Sequence, residues 1–380
     1  MTMQDRVVSL TTDLSSKFAD LRVLVLREDW IGCTGLSAFN ALLRLHVKVS
    51  SIIEGDYIPL AWQSIPLKVL GRLLRPVTVR EFNRILVNQV EVSKPDLFLV
   101  FKGPFVTADA LRAIKESGAV CYCYYPDVST TSHGPYLPVA LREYDWIFTT
   151  KSFGARDPRR SYGIERVSYL PHAFDPMVHN PQELSSKDIA EYGCEVSFIG
   201  GWSRKKQRIL EDLVKRRPGL RLRVWGNRWE NLRPSSPLRP FVAFRAVTGL
   251  AYATAISCSK VNLGLLDEGP PEALSGDKIT SRSFHIPACG GLLLHERTED
   301  FLQIFTEGVN CVCFDGADEL ASQIDTLLND HSTRLRIAAA GYKLVRDGHS
   351  WDHRVRTILG HYFSDAAQNI PRTEVAVDSR

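Results

Sequence analysis

Short apolar runs alternate with amphipathic stretches of helical period along most of the chain. Runs such as Leu97–Phe101 and Val120–Tyr125 are typical of strands that are buried on both faces of a parallel sheet. Helices from Leu36 to about Leu45 and near Ala108–Ser117 separate the apolar runs of the first half, whose other predicted strands are Leu21–Leu26 and Trp146–Thr149. This βα alternation predicts an α/β fold in which helices cover both faces of a parallel sheet.

A second βα series follows a break in the pattern. The segment Tyr169–Pro176 contains two prolines and leads into a polar run, which is typical of a linker between domains. Beyond it, we predict five strands, over Glu195–Ile199, Leu220–Trp225, Val261–Leu265, Gly291–His295 and Asn310–Phe314. Three helices follow them, over Asp318–Leu328, His331–Val345 and Trp351–Phe363. The sequence therefore predicts two doubly wound domains, residues 1–172 and 173–350, then a helix over 351–364 and a disordered tail over 365–380.

Length and composition agree with two soluble domains. The chain has 380 residues, of which 44% are hydrophobic and 24% charged, and its formal net charge is +4. No stretch offers the roughly 20 apolar residues of a spanning helix, and the N-terminus lacks the apolar segment of a signal peptide, so we expect a cytosolic protein. The eight cysteines form neither a CxxC pair nor a Cys/His cluster with zinc spacing. We therefore expect reduced thiols and no metal site.

The strongest chemical pattern follows the strand Glu195–Ile199. Two glycines end this strand and three cations open the next helix: Gly200, Gly201, Arg204, Lys205 and Lys206. Glycines let the backbone approach a diphosphate, while cations neutralise its charge. An exposed basic helix turn is the alternative, and the spacing does not choose between Lys205 and Lys206.

A second polar cluster lies at a helix entry. The segment Ser275–Arg282 places Asp277, Thr280 and Arg282 just before a short helix that stops at two glycines and feeds into a strand. Helix N-termini and the carboxyl ends of parallel strands favour anionic ligands. Arg282 and His285 lie about one turn apart and share a helix face. A surface ion pair for Arg282 and a packed, hydrogen-bonded His285 are the alternatives.

These residues carry a family resemblance. The segments are Ser259–Leu263, Arg282–Gly291, Glu296–Glu299, Glu307-Gly308, Glu319-Leu320 and His349–Arg354, with thinner matches at Pro95–Gly103, Tyr125–Asp127 and Leu170–Asp175. Over these segments, the chain resembles the spore-maturation, CgeB-like glycosyltransferases. Those proteins look like group 1 transferases of the two-domain GT-B fold. The resemblance implies that the C-terminal domain binds a nucleotide diphosphate sugar and the N-terminal domain binds the acceptor. It also implies that no metal or other cofactor is needed.

The resemblance assigns further roles. In related transferases a glycine and a basic residue hold the donor's diphosphate, and those places are taken by Gly200, Arg204 and Lys205. Group 1 retaining transferases carry a Glu-x7-Glu pair, with the first acid near the donor sugar and the second on the ribose. Here the pair reads Asp277 and His285, and a histidine brings no fixed negative charge. Glu307, beside Gly308, is either a turn residue or a ribose contact.

Candidate acceptor-side residues lie in the first domain. Asp127 follows the strand Val120–Tyr125, where a general base for an acceptor hydroxyl belongs. His133 and His172 are further candidates, and each of the three is also suited to ordering a loop. The loop Gly32–Gly35 follows a strand and precedes a helix, but it lacks the third glycine of a nucleotide fingerprint. It is either a tight turn or a loop facing the cleft.

Residues 61–90 mix cations with apolar positions. One acid, Glu81, stands against five cations: Lys68, Arg72, Arg75, Arg80 and Arg84. Such a mixture at helical spacing suits an anionic bilayer surface, and a core-facing helix with a solvated basic face is the alternative. Pro66 and Pro76 are expected to limit any single helix to about nine residues. A membrane contact would place the protein at the inner membrane face and favour a lipid-linked or membrane-proximal acceptor.

The sequence as a whole predicts a GT-B glycosyltransferase that moves a sugar from a nucleotide diphosphate to an acceptor hydroxyl. Its catalytic candidates are Asp127, His133 and Asp277. Its substrate-binding candidates are Gly35, Gly200, Gly201, Arg204, Lys205, Thr280, Arg282, His285 and Glu307. The alternatives are a sugar-nucleotide epimerase or phosphorylase on the same fold, and a catalytically silent glycan- or membrane-binding protein. We expect no nucleic-acid partner, and the donor sugar, the base, the acceptor and the anomeric outcome stay open.

Overall fold

A computed structural model describes residues 18–58, 65–270 and 273–368. In the first half, six parallel strands form one sheet: β1 (Arg22–Arg27), β2 (Lys48–Ile53), β3 (Leu97–Phe101), β4 (Val120–Tyr125), β5 (Trp146–Thr149) and β6 (Val167–Tyr169). Their order across the sheet is β2-β1-β3-β4-β5-β6. The helices are α1 (Thr34–Arg44), α2 (Glu54–Tyr57), α3 (Ile65–Ser93), α4 (Ala108–Glu116), α5 (Tyr136–Ala140), α6 (Ser152–Arg156) and α7 (Pro158–Tyr162).

The second half forms a parallel sheet of its own. Its strands are β7 (Cys194–Ile199), β8 (Leu222–Trp225), β9 (Ser259–Gly264), β10 (Leu293–Glu296) and β11 (Val312–Phe314), in the order β11-β10-β9-β7-β8. Its helices are α8 (Ser186–Tyr192), α9 (Arg204–Arg216), α10 (Gly249–Ser257), α11 (Arg282–Ala288), α12 (Glu299–Leu302), α13 (Gly316–Asn329), α14 (His331–Gly348) and α15 (Trp351–Gln368).

Each sheet is buried on both faces. In β3, Phe98 and Val100 pack into one apolar cluster, whereas Leu97 and Leu99 pack into another on the opposite face. The second sheet likewise separates two clusters. Burial of such side chains contributes about 1.5–3 kcal/mol each, which explains why both faces need a helical cover. The predicted class of two doubly wound α/β domains is confirmed.

Each sheet has one position where the strand order reverses. The chain runs from β1 outward to β2 and then returns to the other side of β1 as β3. The second sheet repeats this pattern, with β7 between β8 and β9. Loops at the carboxyl ends of the strands diverge at such a switch point and leave a crevice, which is where ligands bind in open α/β sheets. The fold therefore directs attention to the loops after β1, β3, β7 and β9.

Helix α15 packs on the first domain. The Trp351 ring lies 5.9 Å from that of Phe101 and 5.2 Å from that of Tyr124, measured between centroids. The Arg44 Nε atom donates to Asp352 Oδ1 at 2.8 Å. Residues 365–368, which the sequence assigns to a disordered tail, continue this helix. Residues 369–380 lie outside the described part of the chain.

Helix α3 corrects the prediction that prolines divide residues 61–90. It runs for 29 residues with Pro76 inside. A proline costs a helix one backbone hydrogen bond, but residues 73–77 are exposed, so water can satisfy the freed carbonyl. Beyond it, side chains at helical spacing anchor the helix on the sheet: Val79, Phe82, Leu86 and Val90. Residues 61–64 and the side chains of residues 65–72 lie outside the described part.

No helix in the described ranges is both long and apolar enough to span a bilayer.

Candidate functional site

One large cavity lies between the two domains. Its volume is about 1100 Å³, and it is lined by loops at the carboxyl ends of both sheets, including those at the two switch points. Nearly all of the expected site residues border it: Gly35, Asp127, His133, Gly200, Gly201, Arg204, Asp277, Thr280, Arg282 and His285. Among the described residues, the expected Lys205 and Glu307 do not. Residues that are far apart in the sequence thus share one site.

The loop after β7 is held by close backbone packing. The Trp229 Nε1 atom donates to the Gly200 carbonyl at 2.9 Å. Gly226 approaches the same carbonyl so closely that no side chain fits between them, and its φ of 146° lies in the region that favours glycine. Gly201 has no side chain, and its carbonyl oxygen accepts a hydrogen bond from the Lys206 Nζ atom at 3.4 Å. The loop is therefore shaped before any ligand arrives.

Three consecutive cations at the start of α9 have different positions. Arg204 is exposed and faces the cavity. Lys206 is buried and also lines the cavity, with Nζ at 3.0 Å from Asp267 Oδ2, and burial lowers its pKa. Lys205 instead turns away and pairs with Glu296 at 2.5 Å. The expected role of Lys205 in the cavity is thus corrected in favour of Lys206.

The entry to α11 faces the loop after β7. The Arg282 Nη2 atom donates to the Leu265 carbonyl at 2.7 Å, and a Cβ at Gly200 would lie 2.9 Å from Arg282 Nη1. A glycine at 200 therefore makes room for this guanidinium. Within the described residues, the Arg282 Nε atom and the Thr280 hydroxyl are buried without a hydrogen-bond partner. Both are donors available to an anionic ligand.

His285 is part of an aromatic stack at the cavity wall. Its ring lies 3.8 Å from that of His179, and the Tyr252 ring meets both edge-on. Its Nε2 atom lies 3.1 Å from the carbonyl of Ala173 and is placed to donate to it. Burial lowers the pKa of His285 to about 4, so the ring is neutral at physiological pH. A neutral imidazole at this wall can bond a hydroxyl but supplies no charge.

Asp277 is paired across the cavity. Its Oδ1 atom lies 2.6 Å from the Nζ atom of Lys151, which follows β5 in the first domain. Both side chains are largely buried, and both line the cavity. The pair joins the two domains by a charge-assisted bond.

Asp127 binds two partners in the first domain. Its Oδ2 atom lies 2.7 Å from His133 Nε2 and 2.9 Å from Lys102 Nζ. Burial raises the pKa of Asp127, but the hydrogen bond to His133 and the charge of Lys102 outweigh it and hold the pKa below its usual range. A carboxylate with so low a pKa is a weak proton acceptor. It is better suited to orienting His133 through the Nε2 atom than to accepting a proton itself.

Two further expected residues occupy the same side. His172 lines the cavity, and burial followed by the charge of Lys151 lowers its pKa well below the usual value. Gly35 lies in the first turn of α1, where a Cβ would come within 2.7 Å of the Arg27 Cβ atom. The glycine thus lets α1 approach β1 closely and brings the helix N-terminus to the cavity.

Glu307 does not belong to this site. It pairs with Arg297 at 2.8 Å in an exposed ion cluster with Asp315 and Glu319 near β11. This corrects its assignment as a ribose contact in favour of the turn. Sequence reasoning also missed Lys102 and Lys151. The sequence offers one local signal for both lysines, which is their position shortly after a buried strand: Lys102 follows β3 and Lys151 follows β5.

Comparisons with known proteins agree with this architecture. Residues 204–360 match a family model described as glycosyl transferase-like. No curated protein matches the chain in sequence. The specific resemblance to CgeB-like proteins stays a prediction.

Solved structures establish the fold. HepE of Anabaena in complex with UDP and glucose is 14% identical, with a TM-score of 0.60 over 90% of this chain and 100% of that one. Sucrose-phosphate synthase from Thermosynechococcus elongatus is 12% identical, with a TM-score of 0.65 over 92% and 100%. A Listeria monocytogenes protein described as a UDP-N-acetylglucosamine 2-epimerase is 10% identical, with a TM-score of 0.54 over 93% and 98%. The expected GT-B fold is confirmed.

Proposed function

We propose that this protein is a glycosyltransferase that moves a sugar from a nucleotide diphosphate sugar to an acceptor hydroxyl. One observation carries the proposal. A single cavity joins a cationic, glycine-lined loop of one domain to an aspartate–histidine pair of the other. The loop suits a diphosphate and the pair suits activation of a hydroxyl. The glycosyl transferase-like match over residues 204–360 supports the same activity.

Donor binding is assigned to the second domain. Arg204, Lys206 and Arg282 supply positive charge, and the buried Thr280 hydroxyl supplies a further donor. These groups would stabilise the negative charge that develops on the leaving diphosphate. Since the HepE complex contains UDP and glucose, uridine nucleotides are the first donors to test.

Acceptor activation is assigned to His133, with Asp127 as its orienting partner. In the transfer step the acceptor oxygen bonds to the anomeric carbon while the bond from that carbon to the diphosphate breaks. The acceptor proton passes to His133 Nδ1, and the Asp127 carboxylate stabilises the resulting imidazolium. No step in this scheme uses a metal ion, so we expect activity to persist in the presence of a chelator.

The deciding experiment follows the fate of labelled nucleotide sugars. A glycosyltransferase forms a new glycoside with an acceptor from a panel of lipid-linked and free glycans. An epimerase, an activity described for one protein of the same fold, would change the donor with no acceptor present. A phosphorylase would consume the donor only with inorganic phosphate or pyrophosphate. A donor that stays intact and unbound under every condition would overturn the proposal.

Helix α3 supports a membrane-proximal acceptor. Exposed apolar side chains and exposed cations share one face near its middle, with Leu74 at the edge of that face: Leu73, Val77, Arg80 and Arg84. We propose that this face lies on an anionic bilayer, where each cation contributes about 1 kcal/mol and the apolar side chains insert.

Liposome sedimentation tests this contact. The protein should pellet with phosphatidylglycerol vesicles at low salt, less at high salt, and not with phosphatidylcholine vesicles. The double variant Leu73→Ser and Val77→Ser should lose the binding. Leu335→Ser removes another exposed leucine, from α14, and should keep the binding. Equal pelleting of both variants would rule out α3 as the contact.

A further inference from the structure

Lys151 is an unusual side chain for a cavity wall. It follows the buried strand β5, it is only 5% exposed, and its Nζ atom pairs with Asp277 of the other domain at 2.6 Å. Lysine is seldom buried unless its charge is compensated. Asp277 supplies that compensation, so the two side chains together form an electrically neutral wall.

This wall lies between the two halves of the site. On one side, the Asp277 backbone N–H donates to the Asp267 carbonyl at 2.9 Å, and the Asp267 carboxylate pairs with Lys206 at 3.0 Å. On the other side, Thr150, which precedes Lys151, donates its hydroxyl at 2.9 Å to the carbonyl of Pro126, which precedes Asp127. The Lys151–Asp277 pair is therefore close to the proposed diphosphate loop and also close to the proposed acceptor base. The sugar being transferred has to occupy the space between those two groups.

We propose that the Lys151–Asp277 pair selects an uncharged sugar on the donor and rejects a uronic acid. The inference rests on the proposed function and names the class of sugar. A neutral sugar can donate hydroxyl hydrogen bonds to Asp277 without disturbing the pair. A sugar carboxylate would have to share one ammonium group with Asp277, and two carboxylates around one buried cation leave an uncompensated negative charge.

The pair offers a direct way to change this selectivity. Asp277→Asn keeps the size of the side chain and one acceptor oxygen but removes the negative charge. The Lys151 ammonium is then uncompensated beside the sugar, so a uronic acid becomes the better electrostatic match. Lys151→Arg retains the cation and should preserve the wild-type preference. Lys151→Met leaves Asp277 unpaired and should not improve binding of the acid.

The test measures the dissociation constants of UDP, UDP-glucose and UDP-glucuronate by calorimetry, each with the full chain. If another nucleoside diphosphate binds in place of UDP, its glucose and glucuronate conjugates are used. The wild type should favour the glucose conjugate by about tenfold or more, and Asp277→Asn should shift the ratio toward glucuronate by at least about tenfold. Affinity for the unsubstituted diphosphate should change less than about twofold, since that ligand lacks the sugar.

Glu268→Gln is the matched control, because Glu268 lines the same cavity but is half-exposed and pairs with Arg208. It should leave the ratio unchanged. An equal shift in this control, or a wild type that binds both conjugates equally, would overturn the charge selection while leaving the glycosyltransferase assignment intact. Failure of every nucleoside diphosphate to bind would instead remove the proposed function, and this inference with it. If Asp277→Asn does not fold, Lys151→Met decides, since improved glucuronate binding in that variant contradicts the proposal.

Discussion

Gly226 packs against the carbonyl oxygen of Gly200 so closely that no side chain would fit between them. A Cβ at position 226 would lie 2.0 Å from that oxygen. The same carbonyl accepts the Trp229 indole N–H, so it is held from two directions. The loop that follows β7 therefore depends on a residue that lies about 25 positions later in the chain.

Gly226→Ala should displace this loop. The added methyl group overlaps backbone, and alanine is strained at a φ of 146°, so we expect a loss of about 1–3 kcal/mol in the free energy of unfolding. Donor affinity should fall in the same variant. Gly219→Ala is the control, since a Cβ there meets no atom within 4 Å. Urea unfolding and calorimetry with the donor give both quantities, and a wild-type affinity in Gly226→Ala would contradict the role of the contact.

Arg204→Ala should weaken donor binding by about 1.5–3 kcal/mol, the usual scale of a hydrogen bond to a charged group. Arg204 is exposed at the first turn of α9 and faces the cavity, so its removal should leave the free energy of unfolding nearly unchanged. Arg208→Ala removes a cation one turn later on the same helix, outside the cavity, and should have a much smaller effect. Equal losses in the two variants would indicate a general electrostatic effect.

The fold was largely predictable because its strands are continuous apolar runs. β3, β4 and β5 begin and end where the pattern predicts. The strand β2 was missed since it lies at the edge of its sheet, where Lys48 and the serines of its middle are not fully buried. The length of α3 was also missed, because exposure of Pro76 cannot be read from local sequence.

The site was predictable only where its residues share a local motif. A serine N-cap at Ser203 sets the helical phase of α9, which turns Lys206 toward the cavity and Lys205 toward Glu296. That phase follows from where the helix starts, and helix boundaries are poorly determined by sequence alone. The pairing of Lys151 with Asp277 depends on how two domains pack, so no spacing along the chain reveals it.

Asp127→Asn should reduce kcat by about 10²–10⁴ while leaving the KM for the donor nearly unchanged. The amide keeps the shape of the carboxylate but cannot stabilise a protonated His133, and neither residue lies on the diphosphate loop. Ser132→Ala is the control, since Ser132 lines the same cavity and bonds only the Ser129 carbonyl among the described contacts. A donor KM that rises as steeply as kcat falls would assign Asp127 to donor binding instead.

Buried histidines should make folding stability fall in mild acid. Burial lowers the pKa of His285 to about 4 and that of His295 to about 3, below the unfolded value near 6.5. A group with a lowered pKa stabilises the fold in its neutral form, so this contribution is complete above about pH 6.5 and is lost as pH falls toward 4. Glu54 acts in the opposite direction, because burial raises its pKa to about 7 and its protonation favours the fold.

Comparing variants isolates one histidine from these opposing effects. Between pH 6 and 5, the wild type takes up about one proton at His285 when it unfolds, and His285→Gln does not. The wild-type free energy of unfolding should therefore fall by about 1.4 kcal/mol more per pH unit than that of the variant. His331→Gln removes an exposed histidine from α14 and should keep the wild-type slope. Urea unfolding at several pH values gives all three slopes. If His285→Gln and the wild type have the same slope, burial does not hold the ring of His285 neutral in the folded protein.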